Sequence, residues 1–338
     1  MKRRCVIEEA VGETRAVVFE GKTPVEAYVR RWTEADKPRV GDIFAGRVIE
    51  IDKSMGAAFM DMGTKPNGFL KFSNAPGAPR FTQGMLIAVE VTREAEPGKG
   101  PVLKYHGETD LDKPAKISGD NLMAFVAKRY PNIKFDNASV SVIEAATERE
   151  IAVPGGGDIA IDFTRALVAI DVDKGPAASG FAVGQAVCPL IAAQLRLRSI
   201  GGLILVDLPN LRQPNQRAKL FKAMEAAFAE DPNTVKVAPM SRFGTVEMTR
   251  AKTGPSLDEV LNDRYGHPTV ETLAIRALRA LEREGRASGG AKLKLTVPQH
   301  VLDWLEAGHI DWKAAMTERL GARFTVKFGD ETNVKADR

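Results

Sequence analysis

The chain has 338 residues, 44% hydrophobic and 27% charged, the balance of a globular protein of two or three domains with a core of useful size. A formal net charge of +4 is a mild lean towards polyanions and decides nothing alone. Two cysteines, Cys5 and Cys188, exclude a disulfide framework and a four-cysteine zinc site. With no signal-peptide core and no apolar run of membrane-spanning length, the chain is expected in the cytoplasm and not in a membrane.

The expected fold class is multi-domain α/β (α+β). Residues 1–36 read as an N-terminal strand segment with a hairpin at Glu20-Gly21-Lys22. Residues 37–107 read as a small barrel. Its expected strands GDIFAGRVIEID, GAAFMDMG, NGFLKF and MLIAVEVTREA show period-two alternation or short apolar runs, with turn signals at 63–68 and 97–100. Phe59 and Phe69 lie ten residues apart on neighbouring expected strands. Two readings fit them: barrel core, or exposed rings that stack on the bases of a single strand. On the second reading Lys65, Arg93 and Lys99 meet phosphates.

Residues 108–150 read as a connector, with a helix near 119–128 ended by Tyr130-Pro131-Asn132. Residues 151–269 read as α/β, with AIDFTRALVAIDVD and VKVAPM as strands and 187–198 and NQRAKLFKAMEAAFAED as helices. GGLILVDL reads as a fully buried strand from its continuous apolar run. Residues 270–338 read as a long helix, a glycine-rich hinge at 287–290 and a small α/β unit in which KLKLTV and FTVKF flank two short helices.

Asp171 and Asp173 close the run ALVAIDVD, and Asp207 closes GGLILVD. A period of two puts the first two on one face, and ligands of α/β sheets gather beyond the carboxyl ends of strands. One reading is ordinary aspartates in solvated turns. The other is a Mg²⁺ site: gathered carboxylates repel unless a cation joins them, and Mg²⁺ takes a few carboxylate oxygens while keeping waters and phosphate oxygens. Arg217, Arg242 and Arg250 either position phosphates or lie on a solvated face with Phe243, Val246 and Met248 as core. Arg196 and Arg198 read as surface charge.

GRVIEIDKSMGAAFMDMGTKPNGFLKF, followed by TREAEPGKG, is similar to the S-one type RNA-binding domain of ribonuclease E/G proteins. GGDIAIDFTRALVAIDVD, QLRLRSIGGLILVDL, NQR and SRFGTVEMTRAKTGPSL resemble the catalytic domain of the same family, similar in fold to a pancreatic-type deoxyribonuclease. The resemblance covers residues 40–107 and 143–257. It implies an OB-type barrel whose Phe59, Phe69 and Lys99 contact RNA. It also implies an endoribonuclease that cuts single-stranded RNA to leave 5′-phosphates, with Asp171, Asp173 and Asp207 holding Mg²⁺.

The departures are specific. Asp173 stands where the family carries Asn. LDEVLNDRYGHPTVETL replaces the family's two-cysteine zinc link, and His267 alone is no metal site, so any homo-oligomer is expected to lack that link. The residues between barrel and catalytic domain hold no counterpart of the family's 5′-monophosphate sensor. The loop KGPAASGFAVGQAVCPL is shorter than usual, and the tail from Lys292 resembles the family's small C-terminal domain only loosely. Asp173 and that loop favour the alternative of a catalytically reduced RNA-binding protein. The expected partner is single-stranded RNA, within structured precursors or outside them.

Overall fold

The computed structural model describes residues 3–175, 179–209, 211 and 213–337. Part of the shortened loop after Asp173, residues 176–178, lies outside them. The chain opens with an antiparallel meander, β1 (Arg3–Ala10), β2 (Glu13–Glu20) and β3 (Thr23–Arg31), whose second turn is the expected hairpin at Gly21. Alternation splits its apolar residues between two cores. Val6, Val17, Ala27 and Val29 face one side, and Cys5, Ile7, Ala16 and Val18 the other.

Five strands close the barrel: β4 (Ile43–Asp52), β5 (Ala57–Asp61), β6 (Gly68–Lys71), β7 (Leu86–Arg93) and β8 (Val102–Gly107). They run in the order β5-β6-β8-β7-β4, and a β4–β5 pairing completes the ring. Phe44, Val48, Met60, Leu70, Ile87 and Leu103 fill it. The barrel is OB-like, as expected. The stretch 108–150, read above as a connector, instead completes two units. Strand β9 (Ala115–Ser118) adds to β4; after α1 (Leu122–Arg129), β10 (Lys134–Asn137) pairs in parallel with β1, and α2 (Val142–Ala145) follows.

The third unit holds β11 (Glu150–Ala152), β12 (Asp158–Phe163), β13 (Val168–Asp173), α3 (Gly180–Leu197), β14 (Gly202–Asp207), α4 (Pro214–Ala227), β15 (Val235–Val237) and β16 (Thr245–Arg250). The sheet order is β11-β12-β13-β14-β16-β15, and only the β13–β14 pairing is parallel. Both α3 and α4 pack on one face, and the other face is open. So β14 is half buried rather than fully buried: Ile204 and Val206 enter the core, while Leu203 is 44% exposed. Helix α3 begins seven residues before the expected start, where Ser179 Oγ accepts the Ala182 N–H at 3.2 Å. Gly180 and Gly184 mask that first part as a loop. Contrary to expectation, α3 is long and apolar enough by composition to cross a membrane, with mean hydropathy 1.3. Here it is the core helix of this unit.

After α5 (Leu257–Leu261), helix α6 (Val270–Ala287) leads to β17 (Lys292–Val297), α7 (Gln299–Glu306), α8 (Trp312–Leu320), β18 (Phe324–Phe328) and β19 (Asn333–Asp337). The last strand was not expected; it pairs with β17 in the order β18-β17-β19. Val11, from the β1–β2 turn, joins the core of this unit, and Gly12 at φ +95° packs tightly against Ile275 and Ile310, where any other residue would be strained.

Glu26 ties the first sheet to its neighbours. The carboxylate is 2% exposed and accepts hydrogen bonds from Tyr28, Tyr130 (2.5 Å), Arg129 (3.0 Å) and Arg196 of α3 (3.1 Å). Burial pushes its pKa up, but Arg129 and the two tyrosine hydroxyls outweigh burial and hold it below its ordinary 4.5. Its stabilising effect is therefore present above pH 4.5 and lost as pH falls through the lower folded value. We predict that Glu26→Ala, which strands two arginines, costs about 3–5 kcal/mol in urea unfolding at neutral pH. The gap to the native chain should close as the pH is lowered through the acid range. A loss below about 1 kcal/mol would show that water replaces the carboxylate.

Candidate functional site

In β13, Val168, Ile170 and Val172 point into the core, so Asp171 and Asp173 emerge on the open face. In β14, Ile204 and Val206 point inward, so Asp207 emerges on the same face. The parallel register sets Asp171 directly opposite Asp207, and Thr245 of β16 opposite Asp207 on the other side. Two like charges thus face each other across neighbouring strands, roughly 5 Å apart at the backbone. Among the described residues no side chain donates a hydrogen bond or an ion pair to either. Arg149, whose charge feels Asp171, is clamped on Asp162 by Nε at 2.6 Å and Nη2 at 2.8 Å, and that pair raises its pKa above the ordinary value.

Asp173 does not join the pair. It sits two residues further along β13, opposite Asp158, and its Oδ1 accepts the Gly175 N–H at 2.8 Å. Among the described residues no group of three or more His, Cys, Asp or Glu side chains is poised around one point. Two uncompensated carboxylates fit a hard cation that fills its remaining positions with water and phosphate oxygens, which is the habit of Mg²⁺.

The arginines divide. Arg250 is structural, bound to Asp231 at 2.9 Å and to the Ile200 carbonyl at 2.8 Å. Arg196 and Arg198 are structural as well, not surface charge: the first serves Glu26, and the second is 1% exposed and donates to the Glu148 carbonyl at 2.7 Å. Arg217 holds the Leu211 carbonyl at 2.6 Å. Arg242 is exposed, in the turn that leads into β16. Val246 and Met248 are core, whereas Phe243 is 77% exposed. Cys5 and Cys188 lie in separate cores, and burial pushes their thiols up to about 11 and about 12.

On the barrel, Phe59 and Phe69 are direct cross-strand partners with ring centroids 5.5 Å apart. Ala58, Met60 and Leu70 beside them point inward, so the rings lie half-buried on the outer face and outside the core. The row continues from Phe69 to Val102 and Arg93, whose Nε has no partner among the described residues. Lys99 is exposed in the turn joining β7 to β8. Gly100 packs against the Asn67 backbone, which brings that turn close to Phe69. Lys65 is exposed and donates to Asn67 Oδ1 at 3.2 Å. Sequence reasoning missed Lys71 and Lys104. Both are exposed beside the rings, each following a leucine of the paired register Leu70–Leu103. Strand alternation alone could have found them.

A recess of about 330 Å³ lies elsewhere, between Arg3, Arg129, Tyr130 and Lys134. Its two arginines already serve Glu20 and Glu26, so it is not the site of the chemistry.

The OB-like barrel and the open-faced sheet with its strand-end aspartates define a mixed α/β protein. A sequence model of the Ribonuclease E/G family matches residues 120–253. That match starts earlier than the expected 143 and does not include the barrel. Ribonuclease E of Escherichia coli (strain K12) is 33% identical over 179 residues, covering 49% of this chain and 17% of that protein. Ribonuclease G of Salmonella typhimurium (strain SL1344) is 27% identical over 212 residues, covering 54% and 43%. Ribonuclease E of Buchnera aphidicola subsp. Acyrthosiphon pisum (strain APS) is 28% identical over 177 residues, covering 48% and 20%. The match thus spans less than half the length of each of these curated relatives. Over residues 120–253 the chain is therefore similar to the ribonuclease E/G family.

The facing carboxylates make a prediction that needs no activity. In EDTA, Asp207→Asn should stabilise the protein by about 0.2–1 kcal/mol through lost repulsion. Added Mg²⁺ should raise the melting temperature of the native chain and not that of the variant. A native chain indifferent to Mg²⁺ would mean that the pair does not hold the ion.

Proposed function

We propose that the chain is an endoribonuclease that hydrolyses phosphodiester bonds of single-stranded RNA with Mg²⁺, on a catalytic unit of the deoxyribonuclease-like kind. The observation that carries this reading is the register-matched pair Asp171 and Asp207 on a chain whose barrel also presents two outward rings. Asp171 and Asp207 would hold the ion, with Asp173 nearby as a further oxygen donor. Bound Mg²⁺ supplies charge neutralisation at the phosphate and activation of water. The chain's own residues do the rest. Phe59 and Phe69 stack bases, while Lys99, Lys65 and Arg93, with Lys71 and Lys104, meet the backbone. Arg242 stands free at the carboxylate end of the sheet, whereas Arg217 acts by holding the loop after Asp207.

One observation favours a second reading, an RNA-binding relative with reduced catalysis. Asp173 is turned to its own loop, and two carboxylates are a sparse ligand set. Cleavage of a labelled unstructured RNA in Mg²⁺ against EDTA separates the two.

Asp171→Asn and Asp207→Asn should each lower cleavage at least about a hundredfold, since each 1.36 kcal/mol of barrier is tenfold in rate. RNA affinity should be nearly unchanged. Asp173→Asn should do far less. On the barrel, Phe59→Ala or Phe69→Ala should weaken binding by about 1–3 kcal/mol, and Lys99→Ala should lower the salt slope by about one unit. Equal cleavage by native chain, Asp171→Asn and Asp207→Asn would put the active site elsewhere. Unchanged affinity in both phenylalanine variants would remove the barrel from the RNA.

A further inference from the structure

Phe243 is the most exposed large apolar side chain among the described residues, at 77%. It belongs to no core cluster among the described residues, and its place is fixed. Ser241 Oγ bonds Thr245 Oγ1 at 2.8 Å and accepts the Phe243 and Thr245 N–H groups at 3.2 and 3.3 Å. Gly244 takes φ +96°, open to glycine at little cost, and closes the turn by donating to the Ser241 carbonyl at 3.2 Å. The Gly244 carbonyl accepts the N–H of Leu208, the residue after Asp207, at 3.4 Å. The turn is therefore pinned to the carboxylate strand.

Asp171, Asp207 and Thr245 form one lateral row across β13, β14 and β16. Phe243 precedes Thr245 by two residues, in the turn before β16, at the end of the sheet where Asp207 closes β14 and where ligands of α/β sheets gather. The Arg242 guanidinium sits over the Phe243 ring, 4.9 Å from its centroid. One ring face is thereby covered by a cation and the other is left to solvent. A flat apolar face beside a positive charge, next to a carboxylate pair that needs a phosphate, matches a nucleotide: base on the ring, backbone on the guanidinium.

We propose that the Arg242–Phe243 turn is a base-stacking platform that seats the nucleotide flanking the phosphate at Asp171 and Asp207. This rests on reading the chain as an RNA nuclease, and it adds a positioning element apart from the barrel. Phe243 sets where the strand lies against the carboxylates, and through the stacking strength of the base it favours purines at that position.

The test uses the full chain in EDTA, so that no RNA is cut, with unstructured oligoadenylate as the probe. Tryptophan is placed as a reporter at one ring at a time, in Phe243→Trp and in Phe59→Trp, and each titration is read against the native chain with its three tryptophans. Quenching of both reporters at saturation is the expected result. Quenching in Phe59→Trp alone overturns the platform and leaves RNA binding standing. Quenching in neither removes the RNA reading and the platform with it. In Mg²⁺, Phe243→Ala should lose about five- to a hundredfold in kcat/KM, and Phe243→Tyr should recover most of it. The Mg²⁺ midpoint for thermal stabilisation should stay at the native value. A shifted midpoint, or a changed oligomeric state in Phe243→Ala, would make the ring a structural or subunit contact and overturn the proposal.

Discussion

A single buried carboxylate holds three parts of this chain in place. Glu26, on the third strand, takes hydrogen bonds from α1 through Arg129, from the turn after it through Tyr130, and from α3 through Arg196. A buried charge is tolerable only when its lone pairs are filled, and four donors fill these. The same sheet passes Val11 into the C-terminal core, and Arg279 of α6 reaches Glu13 at 3.4 Å. The N-terminal strands are thus an interior hub, and the open-faced sheet inherits its position from α3.

Charge is arranged differently on that sheet. Its covered face is apolar except for Arg250, which is paired with Asp231, while the open face carries Asp162, Asp171, Asp173, Asp207 and Glu247. Arg149 answers Asp162, and no protein cation answers the Asp171–Asp207 pair among the described residues. Such a pair costs stability, so its presence at the carboxyl ends of parallel strands is better explained by a ligand than by the fold. The barrel shows the opposite device. Its core is complete without Phe59 and Phe69, which leaves two rings on the outside with lysines around them.

Local pattern explains which features were legible in sequence. Barrel strands alternate with period two between turn residues, so the barrel can be read, and Asp171 and Asp207 can be read as strand ends. Alternation cannot say which face of a small barrel is wet, so the rings stayed ambiguous until Met60 and Leu70 were seen filling the interior. Parallel pairing of Arg4 with Lys134 joins residues far apart in the chain, and no local signal announces it. The run GGLILVDL looks doubly buried because Leu203 and Leu205 are apolar, yet nothing covers their face. Glycines hid the start of α3. Phe243 looked like core because it precedes two core residues, but a turn follows a different rule from a strand.

Where the barrel is attached constrains how the two candidate surfaces cooperate. Glu94, next to Arg93 of the ring row, donates its N–H to the Thr253 carbonyl at 2.8 Å. Thr253 follows Arg250, which pairs with Gly202 at the start of β14. Asp207 stands at the far end of that strand, about 17 Å away by the rise of an extended chain. On the proposed reading, the barrel is attached near the start of β14 and the carboxylates stand at its far end, so the two surfaces meet different parts of one RNA strand. The open face beside the carboxylates also carries Glu247, so phosphates brought there meet like charge. On that reading the proposed Mg²⁺ offsets the repulsion at the carboxylates, and Arg242 of the proposed platform adds positive charge at the same end of the sheet.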